Sequence, residues 1–278
     1  MIENYIYKKN GGYKMLTCVI PLRYNEKRKY LGNNDIFEAL DRSINSFLYQ
    51  NVITEIIIVN NTPSYLCDND EQLKYIIKKY NDKIKILNLN NINVLFNRSW
   101  LLNVGLRQMT NEYFLACDID IILEPNFSNK FNSVQKYLKN NTVYSCSSFG
   151  YIENNINWKN FSYPDQYDKY KKKLSKRNGN GILICKKNIL IEINGYNEKF
   201  QVWGYEDEDL INRLKKYKDI KFDLGYFHCL HQPHMTAGPA ILNDKEIKAK
   251  IKNNEIYSSK NKHNNKNWGS LSGPIIKG

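Results

Sequence analysis

The run Glu55-Ile-Ile-Ile-Val59 constrains this chain more than any other feature. Its four consecutive β-branched residues leave no polar position for a solvent-facing side. Such a run suits a strand buried on both faces, as in a parallel sheet. Parallel strands need crossover connections, and helical patterns stand where crossovers are required. Thr17 to Ile20 reads as a strand ended by Pro21. Ile36, Leu40, Ile44, Phe47 and Leu48 fall at helical spacing, so Asp35 to Gln50 reads as an amphipathic helix. Leu73, Ile76 and Ile77 mark a second helix, and Lys85 to Leu89 a third strand. Trp100, Leu101, Val104 and Gln108 mark a third helix, and Tyr113 to Cys117 a fourth strand. This order predicts an α/β fold with an open, mostly parallel sheet and helices on both faces. Ligands of such sheets sit at the carboxyl ends of the strands.

The second half is less regular. Val143 to Ser147 and Gly181 to Cys185 read as strands, and Asp207 to Lys216 as a helix carrying Leu210, Ile211 and Leu214. Between the two strands, the polar and aromatic stretch Tyr151 to Arg177 reads as a mobile loop over a site. From Lys245 the chain is Lys/Asn-rich, and loose order is expected over Asn253 to Asn267. The domain expectation is one unit over 1–244, with a donor-binding half at about 15–125 and an acceptor and metal half at about 126–244. A basic tail follows over 245–278.

Composition excludes some classes. With 42% apolar and 13% aromatic residues, disorder and a coiled coil are poor readings. No apolar run approaches the ~20 residues that span a bilayer, and the polar start lacks a signal-peptide pattern. A cytoplasmic location is expected. The net charge of +13 suits an anionic partner: nucleic acid, a membrane surface or a phosphorylated small molecule. Enrichment in Asn, Lys, Ile and Tyr, as AT-rich coding DNA produces, accounts for much of that charge. The six cysteines form no CxxC pair and read as small buried hydrophobes in a reducing compartment.

Three constellations carry chemistry. The first lies at the strand ends: Pro21-Leu-Arg23-Tyr-Asn25, then Asn60-Asn61, then Asp118-Ile-Asp120. Carboxylates at i and i+2 after a buried strand are costly unless a cation sits between them. Hard oxygen ligands of this kind suit Mg²⁺ or Mn²⁺ bridging a diphosphate. The second is Trp203-Gly-Tyr-Glu206-Asp207-Glu208-Asp209. Acids in a first helical turn complement the helix dipole. Four of them behind Trp-Gly exceed that need, and one can accept a hydroxyl proton. The third is His228-Cys-Leu-His231-Gln-Pro-His234, holding three of the four histidines. The cluster suggests metal ligation by at least one of His228 and His231. A regular strand cannot put i and i+3 on one face, so a turn or strand end is expected there.

These residues carry a resemblance. The first half resembles family 2 glycosyltransferases of GT-A fold, through Val-Ile-Pro-Leu-Arg-Tyr-Asn-Glu, Glu-Ile-Ile-Ile-Val, Asn103-Val-Gly105 and Asp118-Ile-Asp120. The second half resembles the acceptor region of β-1,4-galactosyltransferases, polypeptide N-acetylgalactosaminyltransferases and bacterial chondroitin-type polymerases. Asn194 to Phe200 and Trp203 to Asp209 carry it. The resemblance implies a GT-A, Rossmann-like sheet. It implies a UDP-sugar donor, a glycan or glycoconjugate acceptor and Mn²⁺ or Mg²⁺. Pro21, Arg23, Asn25, Asn60, Asp118 and Trp203 would line the donor site. Asp120 and His231 would hold the metal, with His228 as a second histidine ligand. Asp207 would be the base, and Glu206 or Glu208 would orient the acceptor. Two departures stand out: Asn60-Asn61 replaces a frequent Asp-Asp, and Tyr205 replaces a frequent Gly.

The implied reaction is a hexose or N-acetylhexosamine transfer, read as inverting, with retention left open because one of the resembling families retains configuration. Two rivals come from other classes. A basic nucleic-acid-binding protein explains the charge but not the acids and histidines. A non-catalytic glycan-binding or scaffold subunit would keep the fold without turnover. No nucleic-acid partner is expected, and the basic tail offers a peripheral contact with an anionic membrane.

Overall fold

The computed structural model describes residues 15–23, 36–63, 71–80, 82–89, 94–139, 142–150, 158–202, 204–217, 221–232, 243–259 and 268–274. The first half alternates as the sequence predicts. It contains β1 (Leu16–Leu22), α1 (Ile36–Leu48), β2 (Ile53–Asn60), α2 (Glu71–Tyr80), β3 (Lys85–Asn88), α3 (Arg98–Gln108) and β4 (Tyr113–Ala116). The second half holds β5 (Ile121–Leu123), α4 (Phe127–Lys139), β6 (Thr142–Gly150), α5 (Tyr167–Lys171) and β7 (Ser175–Lys186). It continues with α6 (Lys187–Glu192), α7 (Glu206–Lys215), β8 (Lys221–His231) and α8 (Asp244–Ser258). One sheet orders the strands β3-β2-β1-β4-β7-β6-β8-β5. The β1–β2, β1–β4, β2–β3 and β6–β8 pairs are parallel. β7 and β5 run antiparallel to their neighbours.

Alternation within the strands builds two apolar layers. Ile56 and Ile58 of β2 join Cys18 and Ile20 of β1 under α1 and α4. Ile57 and Val59 join Val19 on the other face, under α3 and α7. The uninterrupted β-branched run thus feeds both layers. β1 runs through Pro21 to Leu22, one step beyond the expected stop. β4 pairs with β1 only up to Val19, so β2 is the paired neighbour at Pro21 and a residue without N–H is tolerated. Cys18, Cys117, Cys146, Cys185 and Cys229 are buried free thiols; Cys67 lies outside the described residues.

Two expectations need correction. The stretch read as a mobile loop is packed from Trp158 onward. Trp158, Tyr167 and Tyr170 are buried against Ile122 and Leu230, and Gln50, two residues past α1, donates to Tyr163 Oη at 2.9 Å. Aromatic area, not loop polarity, decides its fate. Residues 151–157 lie outside the described set. Part of the expected tail also packs on the domain, while residues 260–267 lie outside the described set. Asn253 to Ser258 end helix α8, whose start carries a capping box between Asn243 and Glu246. Trp268 is buried beside α3 with the Arg107 guanidinium 3.8 Å from its ring centre.

α3 is buried on all sides from Arg98 to Leu106. Its closest approach to the sheet is at Gly105, where a Cβ would overlap Val19 Cγ1 of β1. Gly105→Ala should therefore lower stability by about 1–3 kcal/mol through overpacking, although alanine favours a free helix. Chemical denaturation measures this, and an unchanged midpoint would refute the close contact.

Candidate functional site

The carboxyl ends of β1, β2 and β4 meet at one edge. Arg23 Nη1 donates to Asn61 Oδ1 at 3.0 Å and to the carbonyl of Val94. Asn61 Nδ2 donates to Leu89 O at 2.8 Å. Asn60 Nδ2 donates to Asn88 Oδ1 at 3.1 Å, and its Oδ1 accepts from Thr62 N at 3.0 Å. Amides both donate and accept, so this pair ties three strand ends together where carboxylates would leave the donations unmade. The Asn60 side chain is thus engaged in wiring the strand ends rather than presented to a base. Pro21 is buried within β1. Asn25 and Trp203 lie outside the described residues.

Arg98, absent from the sequence reading, joins the two halves. It opens α3, whose start is capped by Asn97 accepting from Trp100 N. Its Nε donates to Asp118 Oδ1 at 2.7 Å and its Nη1 to Asp207 Oδ1 at 2.9 Å. Its side chain is 7% exposed, against 37% for Asp118 and 20% for Asp207. Burial opposes the charge, but Asp118 and Asp207 outweigh it and hold the guanidinium well above its ordinary value. A signal for Arg98 was present: a cation in a first helical turn opposes the dipole unless acids face it.

The four acids opening α7 have four different fates. Glu206 is buried and accepts from Gly204 N at 2.7 Å. Burial, then the Asp207 charge, pushes its carboxyl up to about 7 against the pull of Arg98. Asp207 faces Arg98; burial raises its pKa, Arg98 opposes this, and Asp118 and Glu208 add to it. Glu208 is exposed. Asp209 is fully buried and accepts from Arg213 Nε at 2.8 Å. The chain enters α7 through left-handed backbone at Val202, Gly204 and Tyr205.

Asp120 and His231 meet through strand register. Ile121 of β5 pairs with His231 of β8, and Gln232 N donates to Asp120 O at 2.9 Å. This brings His231 Nε2 to 3.4 Å from Asp120 Oδ1, with Asp120 buried. β8 keeps its regular register from Phe227 to His231, so His228 lies on the opposite face. Of the expected turn or strand end, the strand end is what is found, since β8 stops at His231, and His228 does not join Asp120. Its Nδ1 is 3.0 Å from Lys171 Nζ and 3.6 Å from Glu124 Oε2, and its ring stands edge-on to Phe149. Burial lowers its pKa; Glu124 opposes that, and Lys171, Lys130 and Lys176 reinforce it. Among the described residues no group of three or more His, Cys, Asp and Glu is set to hold a metal. The carboxylate and imidazole of Asp120 and His231 nonetheless fit a divalent cation that takes its other ligands from phosphate and water.

Residues 161–228, about a quarter of the chain, match the family model described as the N-terminal domain of galactosyltransferase. No curated protein matches the sequence. A crystal structure of GalNAc-T7 with UDP, GalNAc and Mn²⁺ superposes with a TM-score of 0.58 at 13% identity, over 90% of this chain and 49% of that one. The mannosyltransferase PcManGT from Pyrobaculum calidifontis, in complex with GDP-Man and Mn²⁺, gives 0.51 at 12% identity, over 80% and 57%. The chain thus spans about half the length of the first of these. The fold is that of the GT-A glycosyltransferases.

The raised carboxyl of Glu206 has a consequence for stability. Its folded value of about 7 stands above the ordinary 4.5, so the native state binds the proton more tightly. Stability from this group falls as pH rises through that window and stays low above it. Glu206→Gln should gain about 1–3 kcal/mol over the parent at pH 8 and almost nothing at pH 4.5. Melting temperatures at the two pH values measure this; equal differences at both would refute it.

Proposed function

We propose that this chain is a divalent-metal-dependent glycosyltransferase moving a hexose or N-acetylhexosamine from a UDP-sugar to a glycan acceptor with inversion. The observation that carries the reading is Arg98, which holds Asp118 and Asp207 on one guanidinium. It joins the Asp-x-Asp end of β4 to the acidic start of α7, as donor and acceptor ends of one reaction require. The matched galactosyltransferase model and the nucleotide-sugar and Mn²⁺ content of the two similar structures agree with it.

Asp207 is the general base. It accepts the acceptor hydroxyl proton as that oxygen bonds to the anomeric carbon, while the bond from that carbon to the diphosphate oxygen breaks and UDP leaves. Its raised pKa makes it a stronger base than an ordinary aspartate. Arg98 keeps that carboxylate aimed and adds positive charge near the developing phosphate charge. Glu206 fixes Gly204 through its backbone bond. Arg23 at the end of β1 contributes a further cation to the diphosphate side. Asp120 and His231 would hold Mn²⁺ or Mg²⁺, which supplies positive charge to the leaving diphosphate when bound.

Calorimetric titration with UDP tests the reading. Micromolar binding with Mn²⁺ that vanishes in EDTA is expected; no binding in either condition would favour a scaffold or a nucleic-acid-binding protein. Asp120→Ala should remove the metal-dependent binding, and undiminished affinity would take Asp120 out of the ligand pair. Asp207→Asn should keep UDP affinity and lower transfer by ~10²–10⁴-fold. Full turnover in that variant would require another base. The anomeric configuration of the product, read by NMR, decides inversion.

A further inference from the structure

Helix α8 lies outside the matched residues 161–228 and outside every motif in the sequence. It is lysine-rich and mostly exposed, yet Asn253 in its third turn is 1% exposed. The Asn253 side chain works as a strand would. Its Nδ2 donates to Gln201 O at 2.8 Å, and its Oδ1 accepts from Gln201 N at 3.1 Å. The same Nδ2 lies 3.4 Å from Gly204 O. One turn further, the Tyr257 ring stacks on Tyr205 with centroids 4.9 Å apart and planes at 21°. The Tyr257 hydroxyl accepts from Asn212 Nδ2 of α7 at 2.8 Å.

These contacts fall on a stretch with several positive-φ residues. Val202 has φ 66, Gly204 φ 115 and Tyr205 φ 72. A β-branched residue in the left-handed region is unfavourable and persists only where its surroundings over-determine it. The far side of the turn is held by Val202 N donating to Phe96 O and Gly204 N donating to Glu206. The near side is held by α8. The turn leads directly into Glu206 and Asp207, so its shape sets where the Asp207 carboxylate meets Arg98.

We infer that Asn253 is a positioning residue: with Tyr257 it makes α8 a clamp that fixes the approach to α7 and so places Asp207 against the acceptor. The catalytic half of this inference rests on the reading of Asp207 as base; the clamp itself does not. Hydrogen–deuterium exchange on the full chain reads the clamp without any activity. Asn253→Ala should raise exchange of the amides from Gln201 to Asp207 tenfold or more. Asn253→Asp, which keeps the bond from Gln201 N and loses the donation to Gln201 O, should fall between. Tyr257→Ala should raise exchange around Tyr205 in the same way.

In the same variants the Mn²⁺-dependent affinity for UDP should stay within twofold. kcat for transfer should fall tenfold or more in Asn253→Ala, with Asn253→Asp again intermediate. Unchanged exchange in both the Asn253→Ala and Tyr257→Ala proteins overturns the clamp. Faster exchange with unchanged kcat overturns the positioning role. If Asn253→Ala loses UDP affinity through general unfolding, Asn253→Asp decides by the same two measures. A parent protein that binds UDP but transfers nothing would sink Asp207 as base and the positioning role with it, leaving the exchange data to judge the clamp.

Discussion

A single buried guanidinium organises the site. Removing Arg98 from water costs several kcal/mol, and the paired carboxylates of Asp118 and Asp207 offset that cost. Each acid in turn depends on Arg98, because Asp118, Asp120, Glu206 and Asp207 crowd one edge of the sheet. The described cleft therefore carries more carboxylate than cation. That imbalance is poor for stability, since the Asp207 charge adds to burial in raising the Glu206 carboxyl, but it favours a divalent cation. Stability and chemistry pull in opposite directions there, which is common at functional sites.

Arg98 can bridge only if α3 is held at the right height, and buried polar bonds do this. Asn103 Nδ2 donates to Tyr196 O and Glu198 Oε1 at 2.8 Å, and Asn103 Oδ1 accepts from Tyr196 N at 2.8 Å. Asn97 Nδ2 donates to Glu198 O at 2.7 Å, and Glu198 Oε1 also accepts from Gly269 N at 2.6 Å. Gly195, at φ 64, leaves room for the Asn103 amide where any Cβ would collide with it. The string Asn194 to Phe200, which reads as a signature of chemistry, is therefore scaffold. It fixes α3, and through α3 it fixes the cation.

This distinction marks how far the sequence could be read. Much of the first half follows from periodicity, because β1, β2 and β4 are buried on both faces and α1 carries one apolar face; the edge strand β3 is only half-buried and α3 is buried all round. The short β5, the six-residue α6 and the lysine-rich α8 lack a clear period, and tertiary contacts decide them, whereas α4 has a legible stripe at Phe127, Phe131, Val134 and Leu138. Asp118, Asp120, Asp207 and His231 are legible as acids and an imidazole at strand and helix ends, and the structure gathers them in two linked pairs. Arg98 was hidden because its partners lie 20 and 109 residues away. His228 lies apart from Asp120 because β8 stays regular from Phe227 until it ends at His231. Alternation along an unbroken strand then sends it to the Lys171 side.

The Asp120–His231 pair shows how backbone pairing could assemble the proposed cation ligands. Neither residue selects the other; the antiparallel register of β5 and β8 sets them side by side. That register is locked just beyond the strand, where Gln232 is fully buried. Its Oε1 accepts from Arg42 Nε at 2.6 Å, and its Nε2 donates to Ala39 O at 3.0 Å, both on α1. Helix α1, which touches none of the acids, therefore holds the imidazole in place. Two protein donors leave most positions of an octahedral ion to water and phosphate. In the proposed reaction, the ion's affinity then depends on the diphosphate as much as on the protein. Donor binding and metal binding are then coupled, because the cation offsets the charge of both the cleft carboxylates and the diphosphate.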